Sequence, residues 1–428
     1  MTDSARAAGG GRVAHGRVPM TGRDPGERGR AVTPLELLFD LTFVAAVGTS
    51  AHFLAELAAG GLAGRAVTAF TLAMFAISIA WINFSWFSSA FGTDDWLYRS
   101  LTMLQMIGVV VFALGLPAMF HSVEEGGHLE IRAIVIGYVV MRIAMVAQWW
   151  RAARESPQYR DVGTASIRWT TIAQAGWLVV GFTGLTFTQV FVPYAVLTML
   201  ELLIPVLTQG SAGGTPWHPH HVAERYGLFA IITLGEVVVG TVASSRGLLG
   251  GPDGTEWSAN AVAVVVAGIG LTFGMWWVYF LTPFGDILAY RRTTGYLFGY
   301  GHIPVFAGIA GAGAGLHVAG LYLEHDAAIS ELAVVLSLAL PTGLYVIVVK
   351  ALHLLLLSAR GFFHLMLVSL TLVVLGAAVL MAVLGAPVAA CLLVVMLAPY
   401  VNVVAYETVG HRHQHRLLAD LKARRSPS

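Results

Sequence analysis

Along most of this chain the apolar residues neither alternate nor keep to one helical face; they run on. Mostly apolar stretches of about 18 residues or more follow one another from residue 35 to residue 406, divided by short segments that hold most of the charge. Each is long enough to cross a hydrocarbon layer of about 30 Å as a helix. The pattern places spans near 35–57, 66–89, 100–120, 131–150, 222–244, 259–282, 295–319, 331–352, 362–384 and 386–406. The apolar stretch 169–207 is too long for one crossing at about 1.5 Å per residue. Gly181, Gly184 and Pro193 place a reversal near 184–188 and make two spans of it. The pattern therefore predicts an all-α polytopic integral membrane protein with about twelve transmembrane helices. Its first helix has a local start signal, Thr33-Pro34-Leu35-Glu36, which is a capping box with proline at the first helical position.

Composition sharpens this. At 57% hydrophobic, 11% charged and a mean hydropathy of +0.73, the chain is not a soluble globular protein. Its one cysteine, Cys391, excludes an intrachain disulfide and any zinc pattern needing two cysteines. The net charge of +1, scattered over loops and tails, gives no footprint for nucleic acid. Residues 1–31 are Gly- and Arg-rich and read as a disordered cytoplasmic tail rather than a signal peptide. Residues 32–408 form the transmembrane domain, and 409–428 a basic cytoplasmic tail that is partly helical.

Charge also orients the spans. With the N-terminus inside, 21 of the 25 Lys and Arg residues fall on the cytoplasmic side. Arg65, Arg132 and Arg246 fall outside, and Arg142 lies within the membrane. Both termini are thus expected on the cytoplasmic side of the membrane.

Short words recur at a nearly constant offset. Phe91-Gly92 and Phe284-Gly285 are 193 residues apart, and Val47-Gly48-Thr49 and Val239-Gly240-Thr241 are 192 apart. Thr33-Pro34 and Thr215-Pro216 precede the two halves. Two parallel six-helix repeats, 33–207 and 215–407, would place a site between the halves.

The segment Thr33 to Val44, TPLELLFDLTFV, resembles the opening signature of the bacterial low temperature requirement A family. The resemblance continues at Thr93 to Arg99, at Tyr138 to Met145, at Trp217 to Glu236 and at Tyr300 to Pro304, and it covers about residues 33–405. Leu38 departs from it where phenylalanine is expected. The resemblance implies a polytopic bacterial inner-membrane protein tied by name to growth in the cold, and no particular substrate or reaction.

Ionisable residues at bilayer depth are costly and therefore candidates for function. Glu36 is accounted for by the capping box. Asp40, one turn further on, has no capping role and is expected either to work or to pair with Arg142. Arg142 lies roughly 13 Å above the cytoplasmic end of span 4 and needs an anionic partner or a wet cavity. Glu201 is near the cytoplasmic end of span 6. Glu236, roughly 16 Å deep, is near the middle of the membrane. The expected substrate- or ion-binding set is Asp40, Arg142, Glu201 and Glu236. Three acids against one base leave a surplus of buried acid, which favours cations or protons as partners. His220, His221 and Glu224 have helical spacing for a divalent metal, although Pro219 disturbs the turn and an interfacial hydrogen-bonding role competes. No cofactor is expected, and the oligomeric state is open. The leading functional expectation is a secondary transporter of a cation or proton-coupled solute. The alternatives are a membrane-embedded enzyme acting on a lipid-linked substrate through His220, His221 and Glu224, or an envelope-homeostasis protein that transports nothing.

Overall fold

Thr33 caps the first helix as its sequence requires: Thr33 Oγ1 accepts from the Glu36 amide at 3.3 Å, and the Glu36 carboxylate accepts from the Thr33 amide at 2.9 Å. From that start the computed structural model, which describes residues 16–209, 214–246, 248–250, 256–325, 327–357 and 362–423, is a succession of helices. They are α1 (Pro34–Ala59), α2 (Ala63–Phe91), α3 (Trp96–Glu125), α4 (Arg132–Glu155), α5 (Arg160–Phe182), α6 (Phe191–Gln209) and α7 (Pro219–Arg246). There follow α8 (Ala259–Phe280), the short α9 (Phe284–Tyr290) and α10 (Gly295–Gly301), then α11 (Ile303–Leu323), α12 (Glu331–Leu357), α13 (Phe362–Val383), α14 (Val388–Ala405) and α15 (His411–Ala423). Among the described residues the only paired strands are two residues long, Leu249–Gly250 against Glu256–Trp257.

Twelve of these helices have 18 residues or more, one for each predicted span. Eleven are both long and apolar enough to cross a membrane. The exception is α5, which has the length but carries Arg168, Thr170, Thr171 and Gln174. It starts at Arg160 rather than near 169, because nothing in RDVGTASIR stops a helix once the Pro157–Tyr159 turn has opened it. The reversal after it falls at Gly184, whose φ of +64° is left-handed and costs glycine little. The predicted loop Phe284 to Arg292 is instead the helix α9, and span 9 is broken at His302 into α10 and α11, with Pro304 in the first turn of α11.

The connections gather at two ends. At one, Leu129 N donates to Leu185 O at 2.8 Å and Ala328 N to Ala59 O at 3.0 Å, joining three loops. At the other lie the end of α2, the α2–α3 loop, the end of α4 and the start of α7. There residues 16–31, expected as part of a disordered tail, lie against the bundle; residues 1–15 fall outside the described residues. Met20 is fully buried, Arg23 N donates to Ala90 O at 2.9 Å, and Arg30 donates to the carbonyls of Ser88 and Ser89. The arginines supply donors to carbonyls at the end of α2, where Ser88 O also accepts from Gly92 N at 2.9 Å.

In lipid, apolarity does not distinguish inside from outside, and close packing by small residues does. Large apolar side chains such as Leu114 and Val192 face outward, while α11, rich in Gly and Ala, is the most enclosed span. It packs on α1, α7 and α12. Gly270 and Gly274 seat α8 on Met396, Pro399 and Tyr400 of α14.

The order of packing repeats. In the first half α1 packs on α2 and α3, α3 on α4, α4 on α5 and α5 on α6. In the second, α7 packs on α8 and α11, α11 on α12, α12 on α13 and α13 on α14. Gly108 and Gly115 of α3 meet Gly137 and Met141, then Ala133 and Ile134, of α4. Gly308 and Gly315 of α11 meet Pro341 and Tyr345, then Ser337 and Leu338, of α12. The glycines are 200 positions apart and all four partner residues 204 apart.

Candidate functional site

Two buried polar clusters lie in the first half and at its junction with α7. In the first, Asp40 is fully buried and its Oδ1 accepts from Trp81 Nε1 at 2.7 Å and from Arg225 Nη2. Arg225, also fully buried, donates through Nη1 to Ser88 Oγ at 2.7 Å and lies 3.7 Å from Glu36 Oε1. Glu36 Oε2 is 3.2 Å from His221 Nε2, so one turn of α1 holds two residues of α7. Phe229 stacks on Trp81 with ring centroids 4.3 Å apart and closes the cluster in apolar surface. Asp40 Oδ2 and Arg225 Nε have no hydrogen-bond partner.

The expected Asp40–Arg142 pair is not formed. Arg225 takes Asp40, because it enters the bundle six residues inside α7, about 9 Å from its start. It had been counted with the interface, next to exposed Glu224.

Arg142 heads the second cluster, between α4, α5 and α6. Its Nη2 donates to Glu201 Oε2 at 2.9 Å and to Tyr138 Oη at 2.5 Å, and Tyr138 Oη donates to the same Glu201 oxygen. Glu201 Oε1 accepts from Gln174 Nε2 at 3.1 Å and Trp177 Nε1 at 3.0 Å. Four donors therefore converge on one carboxylate, and Glu201 is 3% exposed, a burial that a charge tolerates only when paired and hydrogen-bonded in this way. Tyr138 sits one turn before Arg142 on the same face, which the sequence could have shown. Gln174 and Trp177 carry no charge and gave no signal.

This cluster separates two recesses. One, of about 690 Å³ with the space open to solvent included, is lined by the late parts of α2, α4 and α6, the early part of α5, and α10; among the described residues Arg142 is the one charged side chain on its wall. The other, of about 670 Å³, is lined by the opposite parts of α2, α4, α5 and α6 with α3, and is apolar apart from Tyr138, Tyr194, Thr198 and Glu201. Arg142 faces the first recess and its partners Tyr138 and Glu201 face the second.

Glu236 stands apart from both clusters. It lies where α7 meets Gly48 of α1 and Gly313 of α11, and it has neither a hydrogen bond nor an ion pair to the described residues. Asp40, Arg142 and Glu236 thus do not line one cavity. With Arg225 inside the bundle, Asp40 and Glu201 each have a guanidinium and Glu36 shares Arg225 with Asp40. The expected surplus of acid rests on Glu236.

The histidine segment does not converge either. His220 is exposed and 4.0 Å from Asp286, His221 is buried against Glu36, and Glu224 is exposed. His218 Nε2 is 2.9 Å from Glu27 O of the N-terminal segment; burial pushes its imidazole below the usual histidine range. Among the described residues no group of three or more His, Cys, Asp or Glu is placed to hold a metal ion. His302 lies between Phe298 O at 2.7 Å and Tyr279 Oη at 3.0 Å, as a core histidine does.

A bundle of long apolar helices with ionic clusters between them defines a multi-span α-helical membrane protein. The chain belongs to the bacterial low temperature requirement A protein (LtrA) family, whose model matches residues 31–399. An uncharacterized protein of Rhizobium meliloti (strain 1021) is 27% identical over 288 residues, which is 64% of this chain and 66% of that relative, just under two thirds of its length. No solved structure matches.

Proposed function

We propose that this protein is a secondary transporter in the bacterial inner membrane, moving a proton-coupled solute between the two recesses past the Tyr138–Arg142–Glu201 cluster. The observation that carries the reading is the position of that cluster: one buried ion pair lies between two cavities lined by opposite parts of the same helices. Alternating access needs a barrier of this kind, and because separating a buried pair is costly, a bound solute or proton must supply the missing partner when it opens. Glu236 supports the coupling. A carboxyl at mid-membrane without a cation beside it is held neutral or takes a proton in transit. The parallel repeat is part of the proposal, since equivalent helix pairs pack through equivalent residues in both halves.

The test is transport by purified protein in liposomes, read as solute-dependent proton movement across a panel of small solutes. Wild type should respond to at least one solute. The double variant Arg142→Gln/Glu201→Gln, which removes both charges together, should be inactive while keeping its fold. Glu236→Gln should uncouple solute from proton movement; if it moves both like wild type, Glu236 has no part in coupling. Proteoliposomes of wild type that move nothing above empty liposomes would leave the envelope-homeostasis alternative standing.

A further inference from the structure

The recess on the Arg142 side has a chemistry of its own. Its one charged side chain is a cation, and the acid that balances it, Glu201, faces the other recess with its four donors already supplied. Arg142 spends a single nitrogen, Nη2, on both protein partners, and among the described residues its Nε has no hydrogen-bond partner. Donor capacity is therefore left on a buried guanidinium at a cavity wall. Aromatic rings form one flat part of the wall, and Asn83, Ser166, Thr170, Thr208 and Thr215 add neutral polar groups elsewhere on it. Tyr296 lies nearly parallel to Trp86 and to Tyr300, at 18° and 14° with centroids 6.4 Å away in each case, and Trp149 adds a fourth ring. The tyrosine hydroxyls are turned to the α6 carbonyls of Pro205 and Leu202, both at 3.3 Å, which fixes the rings.

We propose that this recess binds an organic monocarboxylate with a flat apolar body, the carboxylate on Arg142 and the body on the tyrosine–tryptophan wall. The guanidinium fork matches a carboxylate in shape and hydrogen-bonding pattern. A cation finds no acid on the wall. With Glu201 counted the site's net charge is near zero, so a monocarboxylate adds one charge and a phosphate dianion two, and the monoanion carries the smaller penalty in a low-dielectric recess. The assignment rests on the transporter reading only for its meaning as substrate; as a binding site it stands separately.

The experiment is equilibrium binding to the purified full chain in detergent, using benzoate, cinnamate and indole-3-acetate against their amides. The acids should bind saturably and the amides about tenfold or more weaker. Arg142→Lys, which keeps the charge and loses the fork, should weaken the acids by about tenfold. Thr208→Trp fills the recess without replacing either member of the ion pair and should abolish binding by a protein that stays folded, as its circular dichroism and cooperative unfolding show. Amides that bind as well as acids, an Arg142→Lys protein with unaltered affinity, or a folded wild type that binds none of the three acids would each overturn the proposal. Acids that bind but are never taken up by proteoliposomes would sink the transporter reading and keep the site. Uptake of some other solute by a protein that binds no acid would do the reverse.

Discussion

Asp95 has two tasks at once. It caps α3, accepting from Tyr98 N at 2.9 Å, and it holds the buried Arg151 while accepting from Val18 N of the N-terminal segment at 2.9 Å. Burial alone would raise its carboxyl, but the Arg151 hydrogen bond and the two amides outweigh this and bring it down to about 2. A folded value below the ordinary 3.8 gives stability that is complete above about pH 4 and is lost as pH falls toward 2. Protease cleavage after Arg17 and Arg23 should therefore stay slow and pH-independent from pH 7 to 4, then accelerate below. Asp95→Asn should make it fast at every pH. For Asp40 and Arg225, each single neutral variant should cost about 3–5 kcal/mol in thermal or denaturant unfolding, because the partner is left charged and buried. Asp40→Asn/Arg225→Gln should recover much of that, and a strictly additive double variant would show the pair to be uncoupled. The sequence marked Asp40, Arg142, Glu201 and Glu236 as buried ionisable residues, and all four are. It did not show who pairs with whom, since partners 185 and 59 positions apart leave no local trace.

At the scale of elements, what was legible followed from length and punctuation. The capping box began α1, Gly184 turned α5 into α6, and Gly385 with Pro387 separated α13 from α14. What was missed are helices carrying polar residues. The first two turns of α5 and all of α9 contain arginines, aspartates or glycines that lower hydropathy without stopping a helix once packing supports it. Helix pairing depends on glycines where backbones touch. A Cβ on Gly137 would lie 2.4 Å from the Phe112 amide nitrogen, and one on Gly315 2.4 Å from Ser337 O. Backbone cannot yield as a side-chain tip does. Gly137→Ala and Gly315→Ala should each lower stability by about 1–3 kcal/mol, measured by thermal unfolding in detergent. Gly376→Ala, with open space around it, should be tolerated.

For the whole molecule, the polytopic architecture was legible because lipid demands about 20 apolar residues of each helix, a demand that eleven of the twelve long helices meet. The orientation drawn from the arginines is tested by labelling: in a Cys391→Ala background, Thr188→Cys should react with an impermeant maleimide on intact cells and Asp24→Cys only after permeabilisation. The attachments of the helices also differ in strength. The α5–α6 pair packs on α4 and on itself, and α6 is the least enclosed span. Beyond that it is held by the Tyr194 hydroxyl on Leu72 O at 2.6 Å, the two long tyrosine bonds from α10, the Leu129–Leu185 bridge and Glu201. By contrast α1, α7 and α11 are locked by buried ion pairs and glycine contacts. Local opening free energies should follow this gradient. Backbone amides of α5 and α6 should exchange with deuterium well before those of α11, and neutralising Arg142 and Glu201 together should widen the gap. The gradient predicts that the hairpin carrying Glu201 opens before the rest of the protein unfolds.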